Sequence, residues 1–313
     1  MRSMTALAAV LGLVVTLLVP AAGFAQELTL RPVVDGSAAD SDVNGEGDFV
    51  VDGLASVLVG FNTVFGPGEY RGVYEFDLQT VQSCGDVDAT LRLNLTGTHL
   101  DGSDPDLTLY GGSGDGALEA SDFQSGGFVT AFSAFDANPF NEFDVSADVQ
   151  RVIDARAGFV SFVVRPNPSA AAGRGAFLYS SNEIADAFGF LPSVLSLTCR
   201  FVLVTIDVRP DAETNPVNLK SNGTTPVAVI TTALFDASIL DISTIRFGAS
   251  GSEASAVRAE LADVDHDGDL DLMMHFTTAQ LRLMCGDAVA VLTGATTDGQ
   301  SVTGSDAVTT VGC

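Results

Sequence analysis

The chain has 313 residues, of which 46% are hydrophobic, and its formal net charge at pH 7 is −26. This hydrophobic fraction is sufficient for packed cores, which excludes a disordered tail, and the length allows one large domain or two ordinary ones. The acidity excludes nucleic acids and anionic membrane surfaces as partners, because both require clusters of cationic side chains and Lys220 is the only lysine.

Residues 1–25 are predicted to be a secretory signal peptide. Arg2 supplies the charged end, residues 5–19 form an apolar run, and Gly23 and Ala25 are small residues ahead of the cleavage point. An uncleaved membrane anchor is the alternative, but the run is short for a bilayer span, and no later stretch approaches the roughly 20 apolar residues that a span needs. The mature chain is therefore expected to be secreted, either extracellular or periplasmic, with no membrane span.

The first part of the mature chain has the pattern of an all-β domain. Residues 70–78 and 89–97 alternate between apolar and polar, which is typical of half-buried strands. The alternation predicts that one face points inward, formed by Tyr70, Gly72, Tyr74, Phe76, Leu78, Leu91, Leu93 and Leu95. The other face is predicted to point outward and is formed by Arg71, Val73, Glu75, Asp77, Arg92 and Asn94. Segments rich in Gly, Asp and Pro connect the strands at 101–106, 111–116 and 165–175. Many short strands separated by such turns predict an antiparallel β-sandwich.

One stretch, residues 144–155, has helical rather than strand periodicity. Apolar residues recur at i, i+4, i+7 and i+8, the spacing of one helix face, at Val145, Val149, Val152 and Ile153. Ser146 is placed to cap the first turn. We expect one or two helical turns that close an edge of the sandwich.

Residues 27–199 resemble secreted β-sandwich modules of the DNRLRE type, which are similar to carbohydrate-binding jelly rolls. The segments that carry the resemblance are "YRGVYEFDL", "ATLRLNL", "FDVSADVQRVIDA" and "GFVSFVVRPN". The resemblance implies a jelly-roll-like sandwich over residues 26–199 and, more loosely, a carbohydrate ligand.

A second domain is predicted over residues 200–313. The run at 194–210 is too long for one ordinary strand, so we expect the first domain to end near Cys199 and a new strand to begin near Phe201. Residues 202–313 resemble a β-module found at the ends of secreted bacterial proteins, with an Ile-Asp-Val-Arg-Pro strand, "NPVNLKSNGTTPVAVITTALFDAS", an aspartate-rich loop and a late cysteine. No activity is attached to that module, so the resemblance implies an Ig-like β-sandwich and no reaction. The expected fold class is all-β, with two tandem antiparallel β-sandwiches behind the signal peptide.

Four cysteines, Cys84, Cys199, Cys285 and Cys313, fit an exported, oxidising compartment. None belongs to a Cys-x-x-Cys pair, which disfavours zinc. Three disulfide connectivities exist, and free buried thiols are a further alternative. The pairs Cys84–Cys199 and Cys285–Cys313 are favoured because each bond then lies inside one predicted domain.

The sharpest chemical signal is the stretch "DVDHDGDLD" at residues 263–271. Its acids stand at positions 1, 3, 5, 7 and 9 of the loop, and Gly268 at position 6 allows a tight turn. Calcium takes about six to eight oxygen ligands, and this spacing, similar to that of integrin-type propeller repeats, dockerins and EF-hands, predicts a calcium site. The predicted ligands are the carboxylates of Asp263, Asp265 and Asp267, the backbone carbonyl of Asp269, and Asp271 either directly or through water.

The loop departs from an EF-hand, because Met274 stands at position 12 in place of the bidentate glutamate. The following residues alternate as a strand, with Leu270, Leu272, Met274 and Phe276 predicted to face inward. Unless another segment donates an acid, binding in the extracellular range, with a Kd on the order of 10⁻⁴ to 10⁻³ M, is therefore expected. The alternative is an acidic hairpin without an ion, although the repulsion between close like charges then opposes folding.

A second stretch, "DSDVNGEGD" at residues 40–48, repeats the pattern. It places Asp40, Asp42, Asn44 and Asp48 at positions 1, 3, 5 and 9, with a glycine at position 6. A second calcium site is a hypothesis, and a plain loop is the favoured interpretation, because Asp, Asn and Gly are the residues that any surface turn uses.

No catalytic motif is present in the sequence. His99, His266 and His275 belong to no HExxH or similar ligand set, and there is neither a G-x-S-x-G elbow nor a cysteine with a nearby histidine. Paired carboxylates that could hydrolyse glycosides are uninformative in a chain with 40 acidic residues. We therefore expect no enzyme. Asn94 and Asn222 stand in glycosylation sequons, but the signal peptide does not indicate a glycosylating host.

The favoured hypothesis is a secreted, non-catalytic, calcium-binding protein with a structural or adhesive role at the cell envelope or in the extracellular matrix, where a cell-surface protein is one class of partner. The alternative is a calcium-braced module that binds an extracellular polysaccharide. The absence of tryptophan weighs against a sugar platform and leaves Tyr70, Tyr74, Tyr110 and Tyr179, of which Tyr74 is predicted to face inward. The scattered acids are explained by a solvated acidic surface or a saline habitat.

Overall fold

The computed structural model describes residues 27–53, 56–63, 66–100, 106–134, 140–166, 175–210 and 212–313. The predicted signal peptide lies outside the described residues, as do most of the predicted connections at 101–106 and 165–175. The fold class is all-β, as predicted, because strands dominate the described chain and its two α-helices span only 9 and 7 residues. Neither of these helices has the length and apolar character that crossing a bilayer requires.

Twelve strands form the first part of the described chain: β1 (Glu27–Leu30), β2 (Val34–Asp40), β3 (Phe49–Val51), β4 (Ser56–Thr63), β5 (Gly66–Asp77), β6 (Cys84–Leu100), β7 (Leu107–Gly114), β8 (Gly127–Phe132), β9 (Phe140–Asp144), β10 (Phe159–Pro166), β11 (Gly175–Ser180) and β12 (Val194–Leu203). β1, β12, β6 and β9 pair in this order as one antiparallel sheet. β3, β2, β5, β10, β7 and β8 pair as another. β4 pairs with β5, and β11 pairs with both β4 and the end of β6, so the 17-residue β6 takes part in both sheets. Residues 111–114, expected in a turn, continue β7.

One hydrophobic core lies between these sheets. It includes Phe76, Leu91, Leu93, Phe162 and Leu195, which come from both sheets. The alternation at 70–78 therefore predicted the inward face correctly.

The opposite face of β5 was expected to be polar and exposed, and this prediction is wrong. Val73 and Glu75 are buried, because residues 115–126 fold over this face. Phe123 packs against Val73, and the Arg71 guanidinium lies 3.6 Å from the centre of the Phe123 ring. Oε2 of Glu75 accepts the backbone N–H of Gly116 at 2.7 Å, so a segment distant in sequence supplies a donor to one of the two oxygens of this buried carboxylate.

Nine further strands follow: β13 (Thr205–Val208), β14 (Pro216–Asn218), β15 (Thr224–Ile230), β16 (Arg246–Gly248), β17 (Ala254–Ala262), β18 (Asp271–Thr277), β19 (Val289–Ala295), β20 (Ser301–Ala307) and β21 (Thr309–Val311). β13, β15, β18 and β17 pair in this order as one antiparallel set. β16, β19 and β20 form a second antiparallel set. The first residues of β17 pair with β16 and so connect the two sets. β14 and β21 form a short parallel ribbon. A second core includes Phe247, Leu272, Met274, Phe276 and Leu292. Leu270, expected to face inward, is instead exposed ahead of β18.

The run at 194–210 divides later than predicted. β12 passes Cys199, pairs with β6 as far as Val202, and places its last two residues in parallel beside β20. β13 then begins at Thr205. The two hydrophobic cores are separate, but β12 joins their sheets by hydrogen bonds, and the division into domains at 199/200 stays a prediction.

The predicted helix is confirmed as α1 (Ser146–Asp154), but its predicted cap is wrong. The Ser146 hydroxyl donates to Oδ1 of Asp144 at 2.6 Å and accepts the N–H of Ala89 at 2.9 Å, so it fastens the helix start to β6. A second helix, α2 (Asn182–Phe188), was not predicted, because seven residues are too few to show a helical stripe.

Asn94 was expected on an outer face and is buried, with Nδ2 donating to the carbonyl of Leu191 at 2.6 Å. A buried amide engaged in this way is inaccessible to glycosylation in the folded protein. The sequon at Asn222 lies in an exposed turn.

Both favoured disulfides are present. Cys84 is bonded to Cys199, which joins β6 to β12, and Cys285 is bonded to Cys313, which joins the segment before β19 to the end of the chain.

Candidate metal centres

The two aspartate loops occupy equivalent places in the fold. Residues 263–270 connect β17 to β18, whose pairing closes with Ala262 opposite Asp271. Residues 41–48 connect β2 to β3, which also pair antiparallel. Each loop therefore closes a β-hairpin.

Three carboxylates converge in each loop. In each group, one oxygen from every carboxylate lies within 4.8 Å of the others, a spacing at which one cation can contact all three. The groups are Asp263, Asp265 and Asp267 in one loop and Asp40, Asp42 and Asp48 in the other. Both groups could hold a metal ion, and the second includes three of the four residues that the sequence suggested.

The backbones of the two loops turn in the same way. Position 4 is left-handed in both, at His266 (φ +66°) and Val43 (φ +57°). Position 6 is a glycine with positive φ in both, Gly268 at +104° and Gly45 at +94°. The prediction that a glycine permits the turn is confirmed for both loops, whereas the left-handed residue at position 4 gave no signal in the sequence.

Hydrogen bonds within residues 263–271 hold the carboxylates in place. The N–H of Asp267 donates to Asp265 at 3.3 Å, and the N–H of Asp269 donates to Asp267 at 3.1 Å. The N–H of Val264 donates to Oδ2 of Asp271 at 2.8 Å. Position 5 thus bonds to position 3, position 7 to position 5, and position 2 to position 9.

Residues 40–48 contain the same three bonds. The N–H of Asn44 donates to Asp42 at 3.2 Å, and the N–H of Glu46 donates to Oδ1 of Asn44 at 2.8 Å. The N–H of Ser41 donates to Oδ2 of Asp48 at 2.8 Å. The two stretches therefore share three hydrogen bonds as well as the left-handed backbone positions.

The loops differ in which aspartate is buried. Asp271 is fully buried, and its other oxygen accepts the N–H of Thr231 at 2.8 Å, so it lies outside the three grouped carboxylates and braces the loop against β15. In the loop at 40–48 the buried acid is Asp40, whose Oδ2 accepts the N–H of Gly45 at 2.7 Å. Unlike Asp271, Asp40 is one of the three convergent carboxylates of its loop. Sequence spacing alone did not distinguish these roles.

Replacing Asp271 by asparagine is expected to lower the free energy of unfolding by about 2–3 kcal/mol, even without calcium. Both carboxylate oxygens accept backbone N–H groups, and an amide would turn an NH₂ toward one of these donors. Urea unfolding of Asp271→Asn in the presence of chelator measures the loss. Asp269→Asn is the matched control, because the exposed Asp269 carboxylate holds no such bond, and equal stability of the two variants would contradict the assigned brace.

The negative charges of the carboxylates in the loop at 263–271 repel one another. The pKa of Asp265 is raised by partial loss of hydration and then by the negative charge of Asp267 and of Asp271. The pKa of Asp269 is raised by loss of hydration and by its contact with Asp267. The ion pairs among the described residues all lie outside both loops, so no cationic side chain offsets this repulsion there.

The loop at 40–48 is supported from outside by the segment that covers β5. Nε2 of Gln124 donates to the carbonyl of Gly45 at 2.6 Å. A Cβ at Gly47 would lie 2.0 Å from the carbonyl oxygen of Ala120, so only glycine fits there. The Ser41 hydroxyl, with its N–H, lowers the pKa of Asp48, which keeps this carboxylate ionised.

The tyrosines provide no open aromatic face. Tyr70, Tyr74 and Tyr179 are buried, and the Arg165 guanidinium lies 3.7 Å from the centre of the Tyr110 ring. The tyrosines therefore do not support a sugar platform.

No protein-family model matches this chain, and no curated protein matches it. The resemblances of residues 27–199 and 202–313 to secreted modules accordingly stay predictions.

Proposed function

We propose that this is a secreted, non-catalytic calcium-binding protein in which calcium stiffens both aspartate loops, and that it has a structural or adhesive role at the cell envelope or in the extracellular matrix. The observation that carries the proposal is the repetition of one loop. Two separate hairpins share left-handed positions 4 and 6, three equivalent hydrogen bonds and three convergent carboxylates.

The ligand chemistry favours calcium among metal ions. Each group offers carboxylate oxygens without nitrogen or sulfur, and calcium is a hard cation that binds carboxylates, carbonyls and water. An ion in either loop would offset the repulsion between carboxylates and would fix two strands of a sheet relative to each other. Stiffening of a β-rich scaffold is the consequence, which suits a structural role.

Export is supported by the cysteines and the apolar N-terminal run. Two disulfides, together with described helices that are too short for a membrane span, are consistent with an extracellular or periplasmic location. Calcium at millimolar concentration occurs in such compartments, which matches the weak binding expected of a loop without a bidentate glutamate.

Calorimetric titration of calcium into chelator-treated protein that begins at residue 26 is expected to show two sites, with Kd values on the order of 10⁻⁴ to 10⁻³ M. At about 10 mM calcium, each site should stabilise the folded state by about 1.4–2.7 kcal/mol, which a thermal melt detects as a higher Tm. The variant Asp265→Asn/Asp267→Asn should lose one site, and Asp42→Asn/Asp48→Asn the other.

Asp269→Asn is the control within the same loop. It removes one negative charge but keeps the backbone carbonyl that is the predicted ligand, so binding should persist with a smaller loss of affinity. If no heat and no Tm shift appear at about 10 mM calcium, the loops are acidic hairpins and the proposal fails. Hydrolysis of a polysaccharide or peptide by the purified protein would refute its non-catalytic part.

A further inference from the structure

Strand β17 ends its sheet with an open edge. Residues 256–262 of β17 pair with β18 on one side. β16 pairs only with the two residues before this stretch, Ala254 and Ser255. Among the described residues, no other backbone or side-chain hydrogen bond reaches the main chain of residues 256–262. An edge strand directs every second N–H and C=O away from its neighbour, so this stretch can accept another strand.

The sequence of this edge complements itself when two copies run antiparallel. In a pairing centred on Ala259, Arg258 of each copy lies opposite Glu260 of the other. Within one copy the Arg258 guanidinium contacts the Glu260 carboxylate at 2.6 Å, and the two side chains are 64% and 45% exposed, so each can exchange this surface contact for the opposite charge of a partner copy. Val257 and Leu261 are apolar and also exposed, at 60% and 49%.

The alternative registers are unfavourable. When a two-fold axis perpendicular to the sheet relates the two strands, one residue lies directly opposite the same residue of the other copy. If that residue is Arg258 or Glu260, like charges face each other across the strand pair. An axis at Leu261 places Glu260 opposite Ala262 and leaves both charges unmatched. Opposite charges across a strand pair stabilise and like charges destabilise, so the axis at Ala259 is the one that the side chains select.

The acidic loops do not oppose this pairing. Asp263 of one copy falls opposite Ser255 of the other, so the two loops lie at opposite ends of the paired stretch. Eight residues of strand separate them, or about 25 Å, which is well beyond the screening length of about 8–10 Å at physiological salt.

We propose that two copies of this chain associate through antiparallel pairing of their β17 edges, centred on Ala259, so that the sheet β13–β15–β18–β17 continues across the dimer. A bulge between Ala256 and Arg258 limits regular pairing to the few residues around the axis. The interface is therefore small, and small interfaces are weak, so we expect association at a protein concentration of about 0.1 mM or above.

Charge reversal tests the register directly by sedimentation equilibrium of the full mature protein. Arg258→Glu places Glu opposite Glu, and Glu260→Arg places Arg opposite Arg, so each variant alone should associate at least about tenfold more weakly than the wild type. An equimolar mixture of the two should recover association, because every Glu of one variant then faces an Arg of the other. The double variant Arg258→Glu/Glu260→Arg should also recover it.

Melting temperatures of the variants provide the folding control. Both side chains are exposed and their pair within one strand is a surface ion pair, so the Tm should change little. A wild type that stays monomeric up to about 1 mM overturns the proposal. Single variants that associate like the wild type, or a mixture that recovers nothing, overturn it as well.

Discussion

Replacing Cys84 and Cys199 by serine is expected to lower the free energy of unfolding by about 5 kcal/mol. The bond closes a loop of 115 residues, and without it the unfolded chain gains the entropy of that loop. It also lies where the pairing of β6 and β12 becomes irregular, shortly before β12 reaches β20, so few backbone bonds replace it there. Urea unfolding of the double variant, followed by circular dichroism, measures the loss.

The second disulfide provides the matched comparison. Cys285–Cys313 spans 28 residues, and the same loop-entropy relation gives about 3.5 kcal/mol for its removal. If the two hydrophobic cores unfold separately, each double variant should move only its own transition, which also tests the predicted domain boundary. Equal losses from the two bonds would contradict the loop-entropy explanation.

Alternation of apolar residues predicted most of the inward faces, with Leu270 as an exception. Tyr74, Phe76 and Leu91 lie in the first core, and Leu272 and Met274 lie in the second. These positions were predictable because a strand places every second side chain on the same face, and the apolar face must be buried.

The same rule could not predict what covers the other face. Val73 and Glu75 are buried by residues 115–126, and this segment contains glycine and acidic residues that are typical of a surface loop. Asn94 is also buried, and its side-chain amide donates to the carbonyl of Leu191, which lies 97 residues away in the chain. Such contacts depend on the tertiary fold, which the local periodicity of the sequence does not predict.

The candidate sites show the same division between local and tertiary information. The spacing of aspartate and glycine predicted two tight loops, because the turn needs a residue that tolerates positive φ and side chains that bond to nearby N–H groups. Asp271 lies outside the grouped carboxylates, and one of its oxygens accepts the N–H of Thr231, which directly follows β15. The ligand set within a loop is therefore decided partly by residues outside it.

The contribution of Asp35 to stability is expected to fall as pH rises from about 4 to about 7. Burial raises the pKa of Asp35 from 3.8 to about 7, against the opposing N–H bond from Asn182. The folded state therefore holds this proton when the unfolded state has released it. Because the folded state binds more protons here, this contribution is fully present below about pH 4 and is lost through the window that ends near pH 7. Burial raises the pKa of Glu75 and of Asp122 as well, which acts in the same direction.

Asp35→Asn should remove most of this pH dependence. The amide oxygen can still accept the N–H of Asn182, and no buried charge forms at high pH. The variant should match the wild type near pH 4 and exceed its free energy of unfolding at pH 8 by up to about 4 kcal/mol, as urea unfolding at both pH values measures. Asp144→Asn is the control with the opposite sign, because the Ser146 hydroxyl and N–H lower the pKa of Asp144, so its contribution is lost as pH falls. A variant at Asp35 that is no more stable than the wild type at pH 8 would show that this carboxyl is ionised without penalty in the folded protein.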